Sequence, residues 1–149
     1  MREILFRGKL DERIDEWIKG SLWYDRDHTA HIIGSRYWGE MSKDELSSLE
    51  LISWTVIPET VGQYTGLTDK NGTKIFEGDI VVYCTNANRA TSKDFYEVVF
   101  ETRGESGYFG IKISNIETWG FCFEVPAKLM EVIGNIYDNP ELIGGEANG

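Results

Sequence analysis

At 149 residues, 41 % apolar and 13 % aromatic, the chain can bury a core without disulfides or metals, which argues against global disorder. A formal charge of −10 runs against nucleic-acid binding, which calls for a basic stripe, and fits a solvated surface or one that attracts a basic partner. There is no signal-peptide core and no apolar stretch of membrane-spanning length, so the expected setting is the cytoplasm, with no membrane partner.

Alternation of apolar and polar residues dominates the first half. Ile4 and Phe6 alternate with Glu3 and Arg7 in a short first strand. Residues 17–24 read as a second strand, with Trp17 on the face opposite Ile18 and Leu22. The polar turn Asp25-Arg26-Asp27-His28 leads from it into residues 30–33, which makes a hairpin. Residues 42–50 are the one helical candidate, because Ser42 and Glu45 have capping-box spacing and Leu46 and Leu49 follow at helical intervals. Ile52, Trp54 and Val56 then alternate with Ser53 and Thr55 in a strand that ends at Pro58.

The second half carries clearer turns. Asn71-Gly72 predicts a two-residue hairpin loop with positive φ at both positions. Gly78-Asp79 turns the chain into residues 80–85, apolar on both faces and therefore central in a sheet. Tyr96, Val98 and Phe100 point away from Glu97 and Glu101. Phe109, Ile111 and Ile113 oppose Lys112 and Ser114, and Phe121, Phe123 and Val125 with residues 132–137 complete the strands. The tail beyond Ile143 reads as frayed. Negative charge concentrates here: residues 1–75 hold 10 basic and 13 acidic side chains, residues 76–149 hold 5 and 12. Cys84 and Cys122 lie in apolar strand contexts and read as buried free thiols.

Three segments are more specific than any strand pattern: residues 2–8 (REILFRG), residues 60–81 (TVGQYTGLTDKNGTKIFEGDIV) and residues 131–142 (EVIGNIYDNPEL). In this order they resemble the YopX family of phage and prophage proteins. The resemblance implies a strand-rich fold whose C-terminal part, residues 60–143, is similar to an SH3-like barrel; with the strands and short helix read over residues 1–59 and a flexible tail over 144–149, the expected fold is mainly β. It also implies a phage or prophage origin and expression in a bacterial host. It supplies no activity.

Chemistry is sparse. His28 and His31 are three apart on a turn or strand, where they need not share a face, and Asp25 and Asp27 beside them lack the ligand spacing of a calcium loop. Glu77 and Asp79 flank a turn glycine and read as a capping or solvated pair. No phosphate-binding glycine loop or nucleophile elbow is present. Thus no catalytic residue, metal ligand or cofactor is expected. The candidate binding residues are Gln63, Tyr64 and Thr65, a polar run unlike a core segment, with Asp69 and the loop residue Trp38. For Tyr64 the competing role is a buried hydroxyl that pins the two halves together. Trp23, Trp38 and Trp54 are expected between the N-terminal strands and the barrel. Together these features point to a non-enzymatic protein-interaction or self-associating module, with a second copy or a host or phage protein as partner. A small barrel that stacks nucleic-acid bases is the alternative.

Overall fold

The computed structural model describes residues 3–11, 14–35, 52–83, 95–113, 117–121 and 126–144. Helix candidate 42–50, Trp38, Cys84, Cys122, Phe123, Val125 and the tail from 145 lie outside the described residues. The protein is mainly β and divides into two compact units, Met1–Gln63 and Tyr64–Gly149.

The first unit is built on antiparallel strands β1 (Phe6–Asp11), β2 (Ile14–Tyr24), β3 (Ala30–Ser35) and β4 (Ile52–Thr55). Each pairs with the next, β4 ends the row, and Gly62 and Gln63, the first residues of β5 (Gly62–Thr68), pair with Arg7 and Phe6. Two-residue periodicity then assigns the faces. Ile18, Ala30 and Ile32 point inward, fully buried, with Val56, and Phe6, Leu10, Leu22 and Trp54 pack against them. Gly8 admits this packing: a Cβ there would lie 2.7 Å from Val56 Cγ2. The first strand starts at Phe6, two residues later than the alternation suggests. Ile4 is 68 % exposed, since no described residue packs over it.

The second unit holds the rest of β5, β6 (Lys74–Phe76), β7 (Asp79–Tyr83), β8 (Phe95–Arg103), β9 (Ser106–Lys112), β10 (Thr118–Gly120) and β11 (Met130–Asn135). Five of these form an antiparallel sheet in the order β10-β9-β8-β7-β11. β7 is an interior strand of this sheet, between β8 and β11, with Ile80, Val81 and Val82 buried on its two faces. Ile75, Val81, Val98, Ile111, Phe121 and Met130 form the core. Residues after Pro140 form a short helix, α1 (Glu141–Gly144), lying against β8.

The Asn-Gly turn is also of another type. Only Gly72 has positive φ, at 81°. Gly72 N–H donates to Asp69 O at 3.1 Å and Asp69 N–H to Thr73 O at 2.8 Å. That geometry is a three-residue loop with Gly72 as its left-handed position. The Asp69 side chain explains it, because Oδ1 accepts from both Asn71 N–H at 2.8 Å and Thr73 N–H at 2.9 Å.

Candidate interaction surface

The polar run singled out in the sequence is built into the frame. Tyr64 is buried, its ring 5.6 Å from that of Phe76 and under the Lys74 ammonium. Thr65 is buried and bridges the bulge in β5: its hydroxyl donates to Ile75 O at 2.9 Å and accepts from Leu67 N–H. Gln63 pairs with Phe6 on β1 and is half-buried. Asp69 is 4 % exposed, and its second oxygen accepts Val132 N–H at 2.9 Å. Burial pushes its carboxyl up, but hydrogen bonds from the Val132, Asn71 and Thr73 amides, with Lys70 nearby, outweigh that and hold it below its ordinary value. Asp79 is likewise an internal cap, its carboxylate accepting Phe76 N–H at 2.7 Å.

The exposed feature lies on the other face of the first unit's sheet. Register places Ser21 and Trp23 of β2, His31 and Ile33 of β3, and Ser53 and Thr55 of β4 side by side on the face opposite Ile18 and Ile32. Trp23 is therefore not packed inward as expected. It is 41 % exposed, with Ile33 at 39 %. The indole is nevertheless fixed. It stacks on the His31 ring with centroids 4.4 Å apart and planes 18° from parallel, and Nε1 donates to Ser53 Oγ at 3.1 Å.

His31 is held in turn by Asp25, whose Oδ2 lies 2.9 Å from Nε2, and by Thr55 Oγ1, 3.3 Å from Nδ1. Asp25 Oδ1 also accepts Asp27 N–H and Thr29 N–H, so this carboxylate organises the β2–β3 turn in which His28 takes φ 62°. The His31 hydrogen bond, followed by the Thr29 amide, keeps the Asp25 carboxyl below its ordinary value. The Asp25, Asp27 and His28 grouping is thus a turn with an anchored histidine. Among the described residues no three His, Cys, Asp or Glu side chains converge as a metal set.

Parity along the strand is the signal that finds this face. Once Ile18 and Leu22 are assigned to the core, Trp23 falls outside it by the same rule that places Trp17 there. Trp17 lies 4.8 Å from the Arg7 guanidinium, which covers its ring. In the second unit, an open cleft of about 350 Å³ is lined by Gly66, Leu67, Thr68, Pro126, Ala127 and Lys128, with no carboxylate or imidazole among them. On β8, Glu97 pairs with Lys112, so the acidic strand face there is mixed in charge.

No curated protein matches the sequence. Among solved structures, the crystal structure of protein EF1440 from Enterococcus faecalis is similar, with a TM-score of 0.53 over 96 % of this chain and 99 % of that one. At 24 % identity this likeness concerns the fold alone. The model of the family described as YopX protein matches residues 13–144, spanning both units and including the Asp69 loop, the β7 turn and β11. The chain belongs to the YopX protein family.

Proposed function

We propose that the protein is a non-enzymatic interaction module of phage or prophage origin, active in the bacterial cytoplasm, that pairs with a second copy of itself through the outer face and β4 edge of its N-terminal sheet. The observation that carries this reading is the fixed, exposed Trp23. An indole already immobilised by His31 and Ser53 loses little side-chain entropy on being covered, which is the property of an interface anchor. Beside it, β4 ends the sheet, and among the described residues no strand pairs with its far side. Two such outer faces packed on each other about a two-fold axis would cover Trp23, and the open β4 edge beside it would border that contact. A non-catalytic role is supported by the carboxylates of Asp25, Asp69 and Asp79, all engaged by backbone amides.

The C-terminal unit is read as an SH3-like barrel. Support comes from the β5–β6 loop, where Lys70 N–H donates to Met130 O at 3.0 Å beside the Asp69 to Val132 bond, so the hairpin borders β11 at the end of the five-stranded sheet.

Sedimentation velocity across a concentration series tests the self-association. A dimer that dissociates on substitution Trp23→Ala is the expected result. A monomer at all concentrations would contradict it, and capture of a host protein by that monomer would assign the surface to a different partner. A second reading has one observation of its own: Lys9 and Lys19 lie on the same sheet face as Trp17 and Trp23, an interleaving of bases and aromatics suited to single-stranded nucleic acid. Salt-dependent gel shifts with oligonucleotides separate the two, because nucleic-acid binding weakens steeply with salt.

A further inference from the structure

Three asparagines fall among the described residues, and their surroundings differ in chemically decisive ways. Asn135 is held at both ends of its amide: Oδ1 accepts Tyr137 N–H and Asp138 N–H, while Nδ2 donates to Asp138 Oδ2 at 3.0 Å. It is followed by the β-branched Ile136, which shields the next backbone nitrogen. Asn139 precedes Pro140, whose nitrogen has no proton to lose. Asn71 precedes Gly72, and both are exposed. A Cβ on Gly72 would meet nothing within 4 Å, so the space around that residue is open.

We infer that Asn71 is a site of spontaneous, intramolecular deamidation that acts as a chemical clock on the second unit. The Gly72 backbone nitrogen loses its proton to solvent base and attacks Asn71 Cγ. The new C–N bond closes a five-membered succinimide as the Cγ–Nδ2 bond breaks and ammonia leaves. One water then opens either ring carbonyl, giving aspartate or, with the main chain rerouted through the side chain, isoaspartate. One amide becomes one carboxylate, with water consumed and ammonia released. The nucleophile is restrained by one bond, Gly72 N–H to Asp69 O at 3.1 Å, in a solvent-exposed turn.

The location gives the reaction a consequence. Asn71 N–H and Thr73 N–H share Asp69 Oδ1, and Asp69 Oδ2 holds Val132 N–H on β11. Isoaspartate inserts a methylene between those two amides and adds a negative charge near a buried carboxylate. Both changes loosen the tie between the β5–β6 loop and β11.

The test is peptide mapping of the whole chain after incubation in mildly alkaline buffer, native and in urea. Exposed turns open at little free-energy cost, so Asn71 in the native protein is expected to convert at no less than about a tenth of its rate in the unfolded chain. It should outpace Asn135 and Asn139, yield isoaspartate, and leave a fraction with a lower urea midpoint. Substitution Asn71→Gln should remove the product, because its ring closure would need six members, while leaving circular dichroism unchanged. A native rate below that tenth, or conversion without any change in urea midpoint, would overturn the inference. Asn148-Gly149, outside the described residues, yields a separate peptide and is scored separately.

Discussion

The Asp69 carboxylate accepts the backbone N–H of Val132 at 2.9 Å, one side chain joining positions 63 residues apart. Because its other oxygen takes two loop amides, an amide side chain cannot replace it: Asn has one acceptor oxygen where three donors converge. Substitution Asp69→Asn should therefore lower stability by roughly 1–3 kcal/mol, read as a reduced midpoint in urea unfolding.

The same carboxylate sets an acid limit. Its folded pKa lies below the ordinary 3.8, so the unfolded chain takes up the proton first as pH falls. The stability it contributes is complete above the ordinary Asp range and is lost as pH drops through that range to the folded value. Urea midpoints measured from neutral to strongly acid pH should fall in this window, and the fall should be shallower in Asp69→Asn.

Glu97 has the opposite sign. Burial raises its carboxyl above the ordinary 4.5, Lys112 opposes the shift and Glu77 adds to it. The folded chain keeps this proton longer, so stability declines as pH rises from the ordinary Glu range through the folded value. Substitution Glu97→Gln should leave the acid midpoint unchanged and raise the neutral one, by no more than ~0.5 kcal/mol for a half-exposed side chain. An equal rise at both pH values would contradict the assignment.

What the sequence showed of the fold was its local part. The hairpin at Asp25, the interior position of β7 and the opposed faces of β8 follow from turn residues, an apolar run and period-two alternation, which are local signals. The loop type at Asn71 did not follow. It is fixed by the Asp69 carboxylate, whose Oδ1 accepts the Asn71 and Thr73 amides while Val132 N–H donates to Oδ2, and that long-range partner leaves no local trace. Gln63, Tyr64 and Thr65 form a polar run in sequence, yet the Tyr64 ring packs on Phe76 and the Thr65 hydroxyl serves a β-bulge, while the Gln63 backbone pairs with β1. Trp23 was expected inside because large aromatics usually are, whereas strand parity put it outside.

That placement separates stability from binding. Trp23→Ala removes an exposed ring from outside the core and should cost less than about 1 kcal/mol. Ile18→Ala opens a cavity under a fully buried side chain and should cost about 2–4 kcal/mol. Urea unfolding of the two variants side by side checks the ordering. A cost for Trp23→Ala as large as that for Ile18→Ala would move Trp23 into the core.

The most direct test of the surface itself is hydroxyl-radical footprinting of Trp23 as a function of protein concentration. If the outer face of the N-terminal sheet is buried when two copies pair, Trp23 should be protected at high concentration and oxidised on dilution. Ile4, 68 % exposed on the chain before β1, should react equally throughout. Oxidation of Trp23 at one rate across all concentrations would contradict pairing through this face.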